Sequence, residues 1–386
     1  MENEHQSDWN PTSAENRRDQ RAAYDKMRQK CPVAHSEFFG WSLFRHEDVM
    51  RALLDHDTFS NAVSQHLTVP NGMDPPEHTA HRKIIEPYFS EPRMRAFEPI
   101  CREWVKKLLT EELRRGELEL METIALPFAV RVQCAFLGWP ESLHPILIAW
   151  VRRNQKATLA QDRKALSEIA LEFERMIDGL LEDRRGPNSK PDQDITAELM
   201  HEKVWGRPLS DEEVASILRN WTAGEIGTIS AAIGILVRFI AEDRGLQEKL
   251  RSEPNLLPYS IDEILRIHGP LVANRRVTKC PVKIGGKQIE AGERISLNWI
   301  SANRDENVFA DAAGFRFDRD PSKNLLYGAG IHVCPGAPLA SLEMRIFMEE
   351  FLRSTKNVAL AESAPSHAVY PGSGFARLNV RLETRD

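Results

Sequence analysis

The clearest periodic pattern in the chain lies at residues 214–240, where apolar residues recur every three or four positions. Ser210 and Glu213 have the spacing of a capping box, so we predict that a long helix begins there. Gly224 and Gly227 interrupt its middle, and each costs up to about 1 kcal/mol relative to alanine. Two interpretations stay open: close packing between helices, or local unwinding that lets another group approach the backbone.

Helical periodicity dominates residues 94–268, whereas the β patterns are short. Residues 40–44 are typical of a short strand, and residues 283–289 are typical of a hairpin around a Gly-Gly turn. No repeat, low-complexity linker or break in composition divides the chain. We predict a mainly α fold with a smaller β portion, in one domain at residues 21–386. The polar segment 1–20 is expected to be disordered or loosely docked.

The composition mainly excludes certain classes of partner and site. The 386 residues are 41% hydrophobic, enough for a large core, and the net charge of −6 argues against a nucleic-acid partner. Five cysteines are widely spread without any Cys-x-x-Cys pair, which argues against a disulfide framework or a zinc site and for a reducing cytoplasm. The N-terminal segment has no apolar signal, and no stretch approaches the roughly 20 apolar residues of a membrane helix. We therefore expect a cytoplasmic protein without a membrane partner.

Cys334 has the most informative setting of the five cysteines. Glycines stand on both sides of it, and a helical pattern follows at residues 339–352. Glycine lets a backbone turn tightly and approach a flat group, and amides at a helix N-terminus favour a thiolate over a thiol. A thiolate on such a loop suits an axial haem ligand. Two alternatives are a buried small hydrophobic residue and a nucleophilic thiol beside His332.

The sequence around Cys334 resembles the cysteine-ligand loop of the cytochrome P450 superfamily, the haem-thiolate monooxygenases. The family pattern is Phe-Gly-x-Gly-x-His/Arg-x-Cys-x-Gly, and this chain departs from it at Tyr327, where Phe is usual. The resemblance implies that Cys334 is the iron ligand of haem b, and that the other matching residues form the cofactor-binding loop. The matching residues are Gly328, Gly330, His332, Cys334 and Gly336.

An Asp-Pro-Pro sequence opens a second helix with His78 and Arg82, which are four residues apart and share one face. By themselves they would be two exposed polar residues near a helix start. Their surroundings resemble the family's helix whose His and Arg bind the haem propionates, and paired carboxylates suit two such donors. The same resemblance implies that Arg276 and His332 also reach propionates, with Arg275 as the competing register for Arg276.

Glu263 and Arg266 lie one helical turn apart. Alone, such a pair is usually solvated and contributes a few tenths of a kcal/mol. The spacing matches the family's Glu-x-x-Arg motif, a buried structural pair that joins a third residue from a later loop. The usual Arg before Phe315 is replaced by Gly314, so Arg316 is the expected substitute.

The middle of the long helix resembles the family pattern Ala/Gly-Gly-x-Asp/Glu-Thr-Thr, whose acid and alcohol relay protons to bound dioxygen. The match covers Ala223 and Gly224 as cofactor contacts, but the acid and alcohol positions fall on isoleucine and glycine. Glu225 and Thr228 are each one residue away and are the candidate catalytic relay. The alternative is a helix-stabilising Glu and a Thr that bonds back to its own helix.

The resemblance covers roughly residues 20–380 and implies a triangular helical prism around haem b. It implies a bacterial enzyme that inserts one oxygen atom from O2 into a small hydrophobic, aromatic or alkyl-aryl substrate, by hydroxylation or O-dealkylation. Electrons would come from a ferredoxin or flavin-type reductase. The sequences of the cysteine loop and of the middle of the long helix resemble a branch of the family whose members are often fused to reductase modules. The chain could therefore be a stand-alone relative or the haem domain of such a fusion, and both interpretations stay open. A peroxide-driven peroxygenase and a non-catalytic haem-based binder are the alternative functions.

By the same analogy, two surfaces are expected beside the haem. Substrate contacts would come from residues 63–69, 218–228, 272–274 and 373–375. The reductase would dock near Arg82, Lys83, Lys323 and Arg345.

Overall fold

The structure, a computed structural model, describes residues 7–64, 66–113, 116–186, 192, 194–368 and 372–385. Helices form most of it, and the strands are short, as the sequence pattern predicts. The α-helices are α1 Ala14–Arg18, α2 Gln20–Lys30, α3 His46–Leu54, α4 Glu77–Ile85, α5 Glu91–Glu112, α6 Leu126–Leu137, α7 His144–Ala160, α8 Arg163–Asp183, α9 Ile195–Leu199, α10 Asp211–Ala241, α11 Arg244–Ser252, α12 Leu257–His268, α13 Trp299–Ala302 and α14 Ala337–Ser354.

The strands pair in small sheets at the margins of this helical body. They are β1 Val33–Ser36, β2 Gly40–Leu43, β3 Phe59–Ser60, β4 Glu117–Glu119, β5 Lys203–Val204, β6 Arg207–Pro208, β7 Ala273–Thr278, β8 Val282–Ile284, β9 Lys287–Ile289, β10 Arg294–Asn298, β11 Thr355–Leu360, β12 Ser366–His367, β13 Phe375–Arg377 and β14 Asn379–Thr384. The largest sheet has the order β1-β2-β10-β7-β3, and a second has the order β11-β14-β4. The predicted strand at 40–44 is β2, and the predicted hairpin is the antiparallel pair β8-β9.

Helix α10 is the core of the fold. Its capping box is formed as predicted: the Ser210 hydroxyl accepts from the Glu213 amide at 3.2 Å, and the Glu213 carboxylate accepts from the Ser210 amide at 2.8 Å. The helix runs without a break through Gly224 and Gly227, so local unwinding is not the reason for these glycines. Among the described helices, α10 alone has the length and apolar composition of a membrane span, and most of that stretch is buried inside the protein.

The N-terminal segment is packed more firmly than the sequence suggests. Trp9 is buried, and its ring contacts those of Tyr24, Phe39 and Phe44. Helix α1 begins five residues later, at Ala14, after the N-cap Ser13. The expectation of a loosely docked segment is therefore wrong for residues 7–20, because an aromatic anchor fixes them to the body. Residues 1–6 of that prediction lie outside the described residues.

Three elements position the candidate site. Helix α14 packs beside α5 and α10, and Glu343 in its first half meets Glu225 in the middle of α10. Strand β7 pairs antiparallel with β10, which places Arg276 opposite Ile295. Helix α4 supplies His78 and Arg82.

Candidate active site

The loop before α14 has a fixed geometry. The Cys334 amide donates to the Tyr327 carbonyl at 2.9 Å. Gly328 and Gly330 have φ values of +74° and +71°, in the left-handed region that favours glycine. A Cβ on Gly330 would also lie only 2.6 Å from the Leu53 carbonyl oxygen, so this position requires glycine on two counts.

Gly336 acts differently from the other two glycines. Its φ of −80° is open to any residue, which corrects the expectation that a tight turn requires it. A Cβ there would lie 3.9 Å from the Cys334 sulfur and 3.8 Å from the Phe89 ring. The loop is further attached to α14 because the Tyr327 hydroxyl hydrogen-bonds the Ser341 hydroxyl at 3.0 Å. Tyr327, in place of the usual Phe, thus adds a hydrogen bond between the cysteine loop and α14.

Opposing effects act on the pKa of the Cys334 thiol. Its side chain is accessible to solvent from one side, while protein atoms surround the rest of it. Burial raises the pKa of the thiol to about 11, and the Glu225 charge raises it too, whereas the Gly336 and Ala337 amides and Arg82 oppose the shift. The helix-end amides act in the predicted direction, but burial outweighs them. A metal ion bound to the sulfur would be needed to stabilise the thiolate fully.

Two histidines close to Cys334 lack hydrogen-bond partners among the described residues. The rings of His78 and His332 have centroids 4.1 Å apart. Both ring nitrogens of His78, and Nε2 of His332, are buried without a partner. Buried polar groups are normally satisfied, so such a pair indicates a site for a further group.

Arg276 extends this basic cluster. It is 4% exposed, donates to the Arg275 carbonyl at 2.8 Å and forms no ion pair with a carboxylate among the described residues. Burial lowers its pKa to about 10, and burial and neighbouring cations lower the pKa of His78 to about 4 and of His332 to about 3. A dianionic ligand would reverse these shifts, so the cluster fits the two propionates of haem. Of the two registers, Arg276 is the buried one, and Arg275 is half-buried.

Arg82 is committed to the cysteine loop. Its Nε donates to Glu86 at 2.9 Å, and its terminal nitrogen donates to the Val333 carbonyl at 2.6 Å. The residue therefore holds the loop next to Cys334. Its contact with a propionate, which the sequence predicts, stays a prediction.

The middle of α10 presents bare backbone. Ala223 and Gly224 are exposed although they lie halfway along a core helix. A Cβ added to Gly224 or Gly227 would meet no heavy atom within 4 Å. Small residues on a continuous helix thus leave a face that a flat macrocycle can approach.

Comparisons with known proteins agree with this geometry. The family model described as Cytochrome P450 matches residues 141–366, more than half of the chain. A putative cytochrome P450, YjiB of Bacillus subtilis, is 30% identical, and the match covers 89% of both chains. The chain belongs to the cytochrome P450 family. Membership makes it an oxidoreductase with haem as its cofactor.

Other relatives of this cytochrome P450 have known reactions or ligands. The erythromycin C-12 hydroxylase of Saccharopolyspora erythraea is 30% identical, over 84% of each chain. The crystal structure of CYP109E1 from Bacillus megaterium in complex with corticosterone has a TM-score of 0.84 at 28% identity, covering 95% of this chain and 99% of that one. The predicted P450 fold is confirmed.

The candidate relay of this P450 is not assembled as the sequence suggests. The Thr228 hydroxyl donates back to the helix carbonyls of Gly224, at 2.5 Å, and Glu225, at 3.2 Å. The Glu225 carboxyl contacts Glu343 of α14 instead. The back-bonding alternative therefore describes Thr228, and the two side chains make separate contacts. Sequence reasoning missed Glu343, although a glutamate between Leu342 and Met344 on a mostly apolar helix is a signal.

The Glu-x-x-Arg pair is buried, and its third partner differs from the prediction. Arg266 donates to Glu263 through Nε at 2.7 Å and through a terminal nitrogen at 2.9 Å. Arg319 donates to the same carboxylate at 2.7 Å, whereas Arg316 pairs with exposed Asp318. The prediction of Arg316 is wrong because the loop brings the arginine three residues later back onto Glu263.

Proposed function

We propose that this P450 is a monooxygenase that oxidises a small aromatic or alkyl-aryl compound, by hydroxylation or O-dealkylation, with electrons from a separate reductase. The observation that carries the proposal is the pairing of Cys334, at an amide-lined helix end, with a buried basic cluster that has no carboxylate partner among the described residues. The first suits a thiolate ligand of iron and the second suits propionates.

Each protein group has a defined task in this proposal. Cys334 would ligate the iron, and the Gly336 and Ala337 amides would hold the sulfur. His78, His332 and Arg276 would bind the propionates. Bound in this way, a thiolate-ligated haem supplies the chemistry of O–O cleavage and substrate oxidation.

The segment around Val69 is attached to helix α10 by hydrogen bonds. The Val69 amide donates to the Ser216 hydroxyl at 2.9 Å, and Asn220 donates to the Val69 carbonyl at 3.0 Å. This supports the use of residues 63–69 as substrate contacts, although residue 65 lies outside the described residues. The aromatic substrate class itself rests on the sequence resemblance of the cysteine loop and the middle of α10.

A binding and turnover panel tests the function. The purified holoenzyme is mixed with alkyl-aryl ethers, a steroid and a macrolide, and the haem spin shift is followed. Product is then measured with O2 and a ferredoxin–reductase pair. We expect a high-spin shift and hydroxylated or dealkylated product with the aryl ethers. A response to the steroid or macrolide only would overturn the substrate class, and spin shifts without any product would overturn the enzyme and favour the binder.

A second candidate is peroxide-driven oxidation. It is favoured by one observation: the Thr228 hydroxyl is bonded to its own helix, and the family's alcohol position is Gly227. The same panel with hydrogen peroxide in place of O2 and reductase decides between the two. Faster product formation with peroxide would make the peroxygenase the main activity.

We further propose a cytoplasmic location and a reductase docking face on the cysteine side. Lys83 and Lys323 are exposed there, whereas Arg345 is paired with Glu98 and Glu349. The reversals Lys83→Glu and Lys323→Glu together should slow reduction by an acidic ferredoxin and leave the spin shift unchanged. Lys164→Glu on α8 is the control. Equal rates in all three proteins would count against this face.

A further inference from the structure

Helices α10 and α14 bury two carboxyl groups against each other. Glu225 is half-buried as a residue, but its Oε1 is enclosed by protein, and its carboxyl contacts Glu343, which is 1% exposed. Both oxygens of Glu343 and Oε1 of Glu225 are buried without a hydrogen-bond donor from the described residues. Neither glutamate pairs with an arginine or lysine in the part of the chain that the structure describes.

Two carboxylates in this position cannot both stay ionised. An ionised carboxylate only accepts hydrogen bonds, so contact between two of them becomes favourable only when a proton lies between them. Burial raises the pKa of both groups, and the neighbouring Glu225 charge raises that of Glu343 further. The pair therefore holds at least one proton at neutral pH and titrates as a unit.

The groups around the pair leave it sensitive to charge at the haem site. Cys101 of α5 faces it, and burial raises the pKa of that thiol to about 12, so it stays neutral. Cys334 and Tyr327 of the cysteine loop are close enough to feel the Glu225 charge.

The two arginines beside Cys101 are paired with other carboxylates and do not compensate the pair. Arg102 binds Glu98, Glu349 and Glu350, and Arg345 binds Glu98 and Glu349. The charge that can change beside the pair is therefore that of the iron and its thiolate.

We propose that Glu225 and Glu343 form a proton-sharing pair that takes up one proton when the bound haem is reduced. This inference rests on the proposed function. A one-electron donor, such as dithionite or a ferredoxin, reduces ferric to ferrous iron and adds one negative charge. One proton from water forms an O–H bond on the pair, so the total charge of the site is unchanged. The O–H bond of the donor, a water molecule or buffer acid in bulk solvent, breaks and its conjugate base stays in the solvent; no other bond forms or breaks.

The expected signature is a pH-dependent reduction potential. Within the window where the pair changes its protonation, one proton per electron makes the equilibrium tenfold less favourable per pH unit, a fall of up to about 59 mV. Glu343→Gln and Glu225→Gln each replace one carboxyl with an amide that cannot take up the proton and whose N–H donates to the remaining carboxylate, which keeps that carboxylate ionised. Both variants should therefore lose the slope.

Spectroelectrochemical titration of the holoenzyme from about pH 6 to about pH 9 provides the test. The wild type should show the slope, the two pair variants should be flat, and Glu349→Gln, on the same helix, should keep it. Identical slopes in all four proteins, or a flat wild type, would overturn the pair. The carbon monoxide spectrum of the same samples distinguishes failure of the carboxyl pair from failure of the proposed function. A thiolate spectrum with a flat slope would overturn only the proposal of the pair. A protein without thiolate-bound haem would overturn both proposals.

A measurement on the wild type alone covers the case in which a variant fails to fold. The infrared difference between reduced and oxidised holoenzyme should contain a band of a protonated carboxylic acid that grows on reduction. Absence of any carboxylic acid band would overturn the pair without use of a variant.

Discussion

Two buried groups of charged residues in this P450 differ in one respect. Around Glu263, the carboxylate receives hydrogen bonds from Arg266 and Arg319, and Arg266 also donates to backbone carbonyls of the loop. Between α10 and α14, Glu225 and Glu343 meet with no cation between them. The first cluster is compensated within the protein, and the second is not.

The difference separates structural groups from groups that serve the site. Arg266 is buried in an ion pair with Glu263 and donates its other hydrogen bonds to backbone carbonyls, as a residue that locks a core should. Arg276 is buried just as deeply but has no carboxylate partner among the described residues, and the rings of His78 and His332 beside Cys334 lack partners as well. In this P450, the side chains of His78, His332, Glu225 and Glu343, which have buried polar atoms without a partner, lie where the haem and a proton are expected.

The largest expected effect breaks the compensated cluster. Arg266→Ala would leave the Glu263 carboxylate buried with one fewer partner, and we expect the free energy of unfolding to fall by about 3–5 kcal/mol. Urea denaturation of the purified protein measures this. Arg316→Ala, which removes the exposed pair with Asp318, should cost less than about 0.5 kcal/mol. Equal losses in the two variants would contradict the assignment of the third partner to Arg319.

The next effect concerns the uncompensated basic cluster. His78→Ala should leave the fold intact but remove a charge-assisted propionate contact of about 1.5–3 kcal/mol. Haem transfer to apomyoglobin should then be at least about tenfold faster, while the ligand spectrum is unchanged. His201→Ala, on an exposed helix end, is the control. Transfer at the wild-type rate would remove His78 from the propionate site.

A smaller effect distinguishes the carboxyl pair by the pH dependence of stability. Because folding raises the pKa of Glu343 above its unfolded value, the native state binds more protons, and stability falls as pH rises towards the folded pKa. Glu343→Gln should remove this loss, at about 1.4 kcal/mol per unit of pKa shift. Thermal melts from about pH 5 to about pH 9 should show a flatter curve for the variant. Parallel curves would contradict a buried like-charged pair.

The smallest effect is expected at Thr228. Because its hydroxyl is already bonded to the Gly224 carbonyl, Thr228→Ala should change the product formed per reductant by less than about twofold. Product and reductant consumption are measured together in the reconstituted system. A large loss of product with continued reductant consumption would show that Thr228 turns away from its helix during turnover.

The sequence predicts most of the fold and the central part of the site. The period of the apolar residues and the capping box locate α10, and the glycine spacing around Cys334 locates the loop. The contacts between distant elements could not be read from local patterns. Arg319 reaches Glu263 only because the intervening loop folds back, and Glu343 meets Glu225 only because α14 packs on α10. Neither the spacing of these residues along the chain nor their type predicts that they come into contact.

The thiolate–haem site at Cys334 is the centre of this account, and one spectrum tests it most directly. The ferrous holoenzyme with carbon monoxide should show the long-wavelength Soret band of a thiolate-ligated haem. Cys334→His should move that band to the shorter wavelength of imidazole ligation, and Cys334→Ala should abolish it. A thiolate spectrum that persists in Cys334→Ala would contradict the assignment of the ligand.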